Sequence, residues 1–450
     1  MSAVTDFIVG IDLGSSGITG GLCKILPDGS KELIALENIP ESKGMRRGVI
    51  YNIEEVSRCI QELVDILLVQ SGKDCKLNMI YIGVNGYSIR SVDAYTSLNL
   101  AGDEILNEIH LDELCEEARL RVPESLEVID VFPQDFKVDG KEDINPVGSR
   151  PQLVEAHYKL IAGNPLILRN MDTCIEMLHI GHEKVLGPLA SAEAVLKPED
   201  KSKGAVVVDF GAETTSVCVY KGNILRYMAI LPFGGRSITM DLGQMNLDED
   251  EAENLKLEKG TAIHYTEQVD PEEQKAFLET LSESDKLANE IIVARIEEIV
   301  DNIYAQISYS GIEPQKLTEG IIITGGASRL PGIEIVLEKR TQMAVRVGNP
   351  AQNIAVVADG IELTPKDSLC VGLLLLGNEN CCAILESKAK PMEKQDFVQE
   401  QTLGGGFDDS QIPHHEETYT KTQKPPKTPK PPKKTKGFSI FSKLFDDEDL

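Results

Sequence analysis

A two-lobed α/β fold built from a duplicated half is the architecture this sequence predicts, and three glycine-rich turns predict it. The stretch "DFIVGIDLGSSGITGGLCKI" starts as a buried strand (Phe7 to Asp12), turns through glycine and serine, and continues as a second strand (Ile18 to Ile25). "GAVVVDFGAETTSVCVYKG" repeats the plan around Asp209, Phe210 and Gly211. The shared core is Asp-[Leu/Phe]-Gly-x-x-x-x-[Thr/Ser], which puts Asp12 and Asp209 in equivalent places. A third stretch, "EGIIITGGASRLPGI", is a buried strand (Ile321 to Thr324), a double glycine and a helix start near Ala327 or Ser328.

Each turn has a specific chemistry. Glycines such as Gly14 and Gly211 let backbone N–H groups converge on one anion, and Ser15, Ser16, Thr214 and Thr215 add hydroxyl donors. An aspartate closing each strand, Asp12 and Asp209, suits Mg²⁺ held through water, because this ion sheds its hydration reluctantly. Gly325 and Gly326 remove side chains where a flat ring could lie, beside Ala327, and a helix N-terminus beyond them favours an anion. Taken singly each turn reads as an ordinary tight hairpin; the duplication points to a Mg²⁺-nucleotide clamped between two halves. No GxxxxGK[ST] occurs, so a P-loop is excluded.

The composition agrees with a body of this kind. At 450 residues the chain is long enough for about three average domains. Its net charge of -28 disfavours nucleic acid, whose phosphates it would repel. The longest apolar run, "LCVGLLLLG", is too short for a bilayer span, and "MSAVTDFIVG" lacks the features of a signal peptide, so a cytoplasmic protein is expected. Nine scattered cysteines without a CxxC pair read as reduced core residues. His179 with His182, and the pair His414–His415, could ligate a metal but read better as core or solvated side chains.

These three segments, in this order, resemble the actin-like ATPase superfamily: Asp12 to Ser16 its first phosphate loop, Asp209 to Thr215 its second, Thr324 to Ser328 its adenosine loop. The connecting helices resemble "GPLASAEAVL" (Gly187 to Leu196) and "DSLCVGLLLLG" (Asp367 to Gly377). Within the superfamily, residues 5 to 378 resemble the FtsA family of bacterial cell-division proteins. The resemblance is carried by "KGMRRGVIYNIEEV", "IYIGVNGYSIRSV", "LPFGGRSITMDL", "AENLKLEKG" and "VARIEEIVDNI". It implies an actin-like (duplicated ribonuclease-H-like) ATP-binding fold, with ATP and Mg²⁺ as ligands and Glu253, Lys256 and Gly260 facing the ribose and base. Relatives that hydrolyse ATP well carry Gln or Glu at the first connecting helix; here Gly187 stands there and Glu193, one turn on, is the nearest carboxylate. Nucleotide binding with slow or absent hydrolysis is therefore expected, with Asp209 and Glu193 as the catalytic candidates.

The rest of the chain divides accordingly. Residues 1–83 form the first-lobe core, where "NIEEVSRCIQELVDILL" carries a core stripe of Val56, Ile60, Leu63, Ile66 and Leu67. Residues 84–165 break the rhythm with β-type runs around "LDELCEEARL" and read as an inserted α+β subdomain. Residues 166–200 return to the first lobe, 201–240 form the second-lobe core, and 311–384 hold the adenosine loop and closing helix. Residues 241–310 are helical and acidic, with Asp248, Glu249, Asp250, Glu251, Glu272 and Glu273. A solvated surface explains such acids; by resemblance this is also where the C-terminal peptide of the tubulin-like protein FtsZ would dock.

Residues 385–436 are rich in Lys and Pro and read as a disordered linker. Residues 437–450 follow with "FSIFSKLF". At helical spacing, Phe438, Ile440, Phe441, Leu444 and Phe445 fall within an arc of about 160°. The stretch from Lys421 to Phe445 holds eight lysines and no acid, so an amphipathic helix on an anionic membrane surface is expected, with docking on a peptide-binding partner as the alternative. One such helix binds weakly; several on one polymer bind firmly. The reading is thus a self-assembling adaptor that fixes the FtsZ ring to the cytoplasmic face of the membrane at the division site and recruits later divisome proteins. The alternatives are a sugar or small-molecule kinase, which would need a catalytic aspartate in a substrate cleft, and a pilus-type actin-like scaffold, which would not need the terminal helix.

Overall fold

In this computed structural model, which describes residues 6–40, 44–72, 75–265, 280–358 and 360–384, each predicted hairpin forms. Strands β1 (Asp6–Leu13) and β2 (Gly17–Ile25) pair antiparallel up to Leu13 and Ile18, and β3 (Lys31–Pro40) continues the meander. A small hairpin, β4 (Met45–Arg46) and β5 (Val49–Ile50), precedes α1 (Ile53–Gln70). Helix α1 is N-capped by Asn52, whose side chain accepts from the Glu55 N–H at 3.2 Å. Val56, Ile60, Leu63 and Leu67 are buried as predicted, joined by Cys59 and Val64, whereas Ile66 is 37% exposed. Leu67 faces the core, and its neighbour, 100° around the helix, is turned to the flank. After β6 (Cys75–Leu77), β7 (Met79–Val84) runs parallel to β1.

The insertion is an antiparallel sheet of β8 (Arg90–Asn99), β9 (Glu127–Val138), β10 (Lys141–Asp143) and β11 (Leu153–Gly163), with α2 (Glu108–Arg119) between β8 and β9. It has its own core, in which Leu111 and Leu114 of α2 meet Ala94, Phe136, Val154 and Tyr158. The chain then forms α3 (Leu166–Glu176), β12 (Gly181–Leu186), parallel to β7, and α4 (Gly187–Val195).

The second half repeats the first. After α5 (Pro198–Lys203) come β13 (Ala205–Phe210), β14 (Thr215–Lys221) and β15 (Ile224–Leu231). Helices α6 (Gly235–Leu242), α7 (Glu249–Lys259) and α8 (Glu283–Tyr309) lead to β16 (Ile321–Thr324), α9 (Ile333–Thr341) and β17 (Val345–Val347). The strand order β15-β14-β13-β16-β17 reproduces β3-β2-β1-β7-β12. Both halves are therefore an antiparallel meander followed by two parallel strands, which places Asp12 of β1 and Asp209 of β13 at matching positions. This is the actin-like, ribonuclease-H-like duplication. The segment after Gly326 is a 3₁₀ turn (Gly326–Arg329), and the α-helix begins only at Ile333, later than predicted, because Pro331 and left-handed Gly332 intervene.

Finally β18 (Ala355–Val356) pairs with β3, α10 (Ser368–Leu376) packs on β1, and β19 (Cys382–Ile384) pairs with β6. Helices α4 and α10 cross closely: a Cβ on Gly372 would lie 1.8 Å from the Ala190 carbonyl oxygen. Most of the nine cysteines are buried. His182 Nε2 donates to the Asp172 carboxylate at 2.9 Å, beside Lys184, in an ion-pair cluster. Among the described residues no helix is long and apolar enough to cross a membrane. Phe438, Ile440, Phe441, Leu444, Phe445, the linker, His414, His415, Glu272 and Glu273 lie outside the described residues.

Candidate functional site

The duplicated strands bring Asp12 and Asp209 to one place, where both are half-buried beside the buried Asp367. Asp12 is pushed up from its ordinary 3.8 to about 8, first by burial and then by the negative charges of Asp209 and Asp367. Burial also raises Asp209, against the Ser191 hydroxyl of α4, which donates to its Oδ2 at 2.6 Å. Asp367, just before α10, accepts from the Thr364 N–H at 2.8 Å and the Thr364 hydroxyl at 2.9 Å. Among the described residues none of these three carboxylates has a cationic side chain as an ion-pair partner. A negative cluster so largely withdrawn from water favours either a proton or an external cation.

Around the cluster stand the three turns. Gly14 and Gly211 are the tight points of the two phosphate-type turns: a Cβ would meet the Gly17 carbonyl oxygen at 2.6 Å and the Thr214 carbonyl oxygen at 2.9 Å. The Ser15 hydroxyl accepts from the Gly48 N–H at 3.3 Å. Ser16 is exposed and Thr214 half-buried. Thr215 is different from the prediction: it is fully buried and its hydroxyl donates to the Phe233 carbonyl at 2.8 Å, so it fastens β14 to the start of α6. Gly325, at φ +85°, lies against Asp209, where a Cβ would come within 2.3 Å of Oδ1. The third turn thus closes on the second.

Lys256 of α7 reaches the same region. Its Nζ lies 2.6 Å from Glu253 Oε2, 2.9 Å from the Thr239 hydroxyl and 3.2 Å from the Gly235 carbonyl. Gly235 in turn faces Ala327. Gly326 borders Lys366, which the sequence reasoning did not single out. Gly260 does not open on a cleft: it caps α7 by donating to the Lys256 carbonyl at 2.9 Å and packs against Leu330.

The structure does not bring Glu193 to the carboxylate cluster. Ser191 points at Asp209, and a residue two positions on is about 200° around the helix. Glu193 accordingly pairs with Lys201 of α5 at 2.5 Å. At Gly187 the space is occupied by another side chain, since a Cβ would lie 2.2 Å from Asn85 Oδ1. Ser191 and Asp367 were missed because their role depends on two helix termini meeting two strand ends. The signal available was their place in the two connecting helices. Among the described residues no three His, Cys, Asp or Glu side chains converge as a direct metal-ligand set. Two carboxylates with water between them and the ion remain the arrangement that fits Mg²⁺.

Two family profiles match the chain: "SHS2 domain inserted in FTSA" over residues 86–162 and "Cell division protein FtsA" over residues 206–364, together just over half of it. The chain is 29% identical over 408 residues to the cell division protein FtsA of Neisseria meningitidis, covering 89% of this chain and 96% of that protein. It is 28% identical over 386 residues to FtsA of Borreliella burgdorferi, covering 83% and 91%, and 25% identical to FtsA of Escherichia coli K12, covering 83% and 90%. Among solved structures, the PilM-PilN type IV pilus biogenesis complex shares the fold, with a TM-score of 0.57 at 17% identity, over 82% of this chain and 97% of that chain. The SHS2 match falls on the antiparallel insertion and the FtsA match on the second lobe with its adenosine-type turn. This chain belongs to the FtsA family of cell-division proteins.

Proposed function

We propose that the protein binds Mg²⁺-ATP between its lobes and works in division as a self-assembling adaptor. In this reading it tethers the FtsZ ring to the cytoplasmic face of the membrane and recruits later division proteins. The observation that carries the nucleotide site is the convergence of Asp12 and Asp209 at the ends of the duplicated strands, with Asp12 raised to about 8 and, among the described residues, no cationic side chain paired with either. A divalent ion brought in with a nucleotide supplies the missing positive charge.

The chain's own groups would then divide the work. Gly14, Ser15, Ser16, Gly211 and Thr214 face phosphates with N–H and hydroxyl donors. Gly325, Gly326 and Ala327 border the base, with Lys256 and Glu253 on the α7 side. Ser191 keeps Asp209 oriented through its 2.6 Å bond. Glu193 is assigned to its ion pair with Lys201 and takes no part in hydrolysis; with Asn85 filling the space at Gly187, water is poorly oriented and turnover is slow. The acidic region 241–310 is proposed as the FtsZ-peptide surface, and Phe438, Ile440, Phe441, Leu444 and Phe445 as the membrane-binding face.

The test has two arms. In calorimetry with Mg²⁺-ATP, Asp12→Ala should lose at least tenfold in affinity, about 1.4 kcal/mol; wild-type affinity in this variant refutes the site. In vesicle sedimentation with anionic lipid, Phe441→Asp and a chain ending at Lys436 should stay in the supernatant. If both pellet like the wild type, the membrane arm fails.

A further inference from the structure

The second phosphate-type turn carries a residue of the wrong sign for its task. Both hairpins close in the same register, Leu13 with Ile18 and Phe210 with Thr215, so Glu213 occupies the place that Ser16 holds in the first turn. A carboxylate there repels a phosphate, yet Glu213 is well held and its side chain is only 19% exposed. Its Oε2 accepts from the backbone N–H of Arg47 at 2.5 Å, and its Oε1 lies 3.5 Å from Arg236 Nη1, whose guanidinium also pairs with Glu249 of α7.

Arg47 belongs to the other lobe, at the turn between β4 and β5. That turn has two residues, Arg47 at φ +48° and Gly48 at φ +74°, a combination for which Asn-Gly or Asp-Gly is favoured. An arginine in the left-handed region is strained, and such strain persists only where surrounding contacts over-determine it. Three contacts do so: Arg47 N–H to Glu213, Gly48 N–H to the Ser15 hydroxyl at 3.3 Å, and the Tyr87 N–H to the Arg47 carbonyl at 3.3 Å. One short turn of the first lobe is therefore bonded to both phosphate-type turns at once.

We propose that Glu213 is a positioning residue that straps the Arg46–Arg47–Gly48 turn across the phosphate end of the cleft, so that a bound nucleotide leaves only when this strap lets go. The inference rests on the reading of the cleft as a nucleotide site. The strap uses a backbone N–H as donor, so the first-lobe side of the bond is independent of side-chain identity, whereas the second-lobe side depends wholly on the Glu213 oxygen. A carboxamide at 213 still presents an acceptor oxygen; an alanine does not.

The test uses the full-length chain with Mg²⁺ and N-methylanthraniloyl-ATP, following release of the fluorescent nucleotide by stopped flow and amide exchange by mass spectrometry. Glu213→Ala should release the nucleotide about tenfold faster, the worth of one charge-assisted hydrogen bond. It should also lose exchange protection in the peptide containing Arg47, while Glu213→Gln stays within about twofold of wild type in both readouts. Faster exchange with unchanged release, or protection retained in Glu213→Ala, overturns the strap. A wild type that fails to bind the analogue at all removes the nucleotide reading and the strap with it, and so is distinguishable from a strap that fails alone.

Discussion

At the scale of single residues, Asp12 is the group on which the chemistry turns. Its carboxyl is held near 8 against an ordinary 3.8. Below the lower value it is protonated in both folded and unfolded chains, and its contribution to stability is fully present. As pH rises toward 8 the unfolded chain gives up the proton while the folded one keeps it, so the ligand-free protein loses stability across that window and levels off above it. Between pH 6 and 8 the loss amounts to about 2 kcal/mol, and Asp209, also raised by burial, acts in the same direction. Denaturant unfolding of ligand-free wild type and Asp12→Asn at both pH values measures it. The variant should show a clearly shallower decline, and parallel curves would mean that the Asp12 carboxyl is not shielded from water as described. Binding of a cation requires the ionised form, so Mg²⁺-nucleotide affinity should rise with pH over the same range. Glu193 illustrates the opposite case: its place in the sequence pointed to the site, and its helical phase took it to Lys201.

At the scale of elements, the crossing of α4 and α10 joins the two duplicated halves. These are the helices that bring Ser191 and Asp367 to Asp209 and Asp12. Gly372 permits the approach, because any side chain there would strike backbone atoms of Ala190 that cannot move aside. Gly372→Val should therefore destabilise the protein by more than about 3 kcal/mol, or leave it insoluble. Thermal unfolding monitored by circular dichroism would reveal it, and a melting temperature within a few degrees of wild type would contradict the crossing. Helix α1 shows how much such periodicity can tell. Four of its five predicted stripe residues are buried, and Ile66 is not, because a pattern of period 3.6 defines a face but leaves its edges to the neighbouring elements.

At the scale of the whole molecule, the insertion is embedded in the first lobe's sequence yet continues the second lobe's sheet. Arg90 of β8 pairs with Ala229 of β15, the Ser91 hydroxyl accepts from the Met228 N–H at 2.7 Å, and Gln134 donates to the Leu225 carbonyl at 3.0 Å. The seam is thin, with few backbone bonds, so it should yield before either core. Gln134→Ala, which removes one buried donor, should cost about 1 kcal/mol and raise amide exchange selectively at Leu225–Met228. Uniform exchange across the whole second lobe would argue against a local seam.

Asp12 and Asp209, the three glycine turns, the duplicated strand plan and the inserted subdomain were legible in the linear chain, because turn chemistry and strand patterning are local and a repeat announces itself by similarity. The convergence of Asp367 and Ser191 on those aspartates was not, nor the burial of Thr215 and Gly260, the diversion of Glu193, the Glu213 contact with Arg47, or the attachment of the insertion to the opposite lobe. Some of these join residues far apart in sequence, as Glu213 and Arg47 are, and others near neighbours, as Glu193 and Lys201 are, but all depend on the packing of helix ends and sheet edges. Local pattern constrains which face an element shows; only the folded packing decides what that face meets.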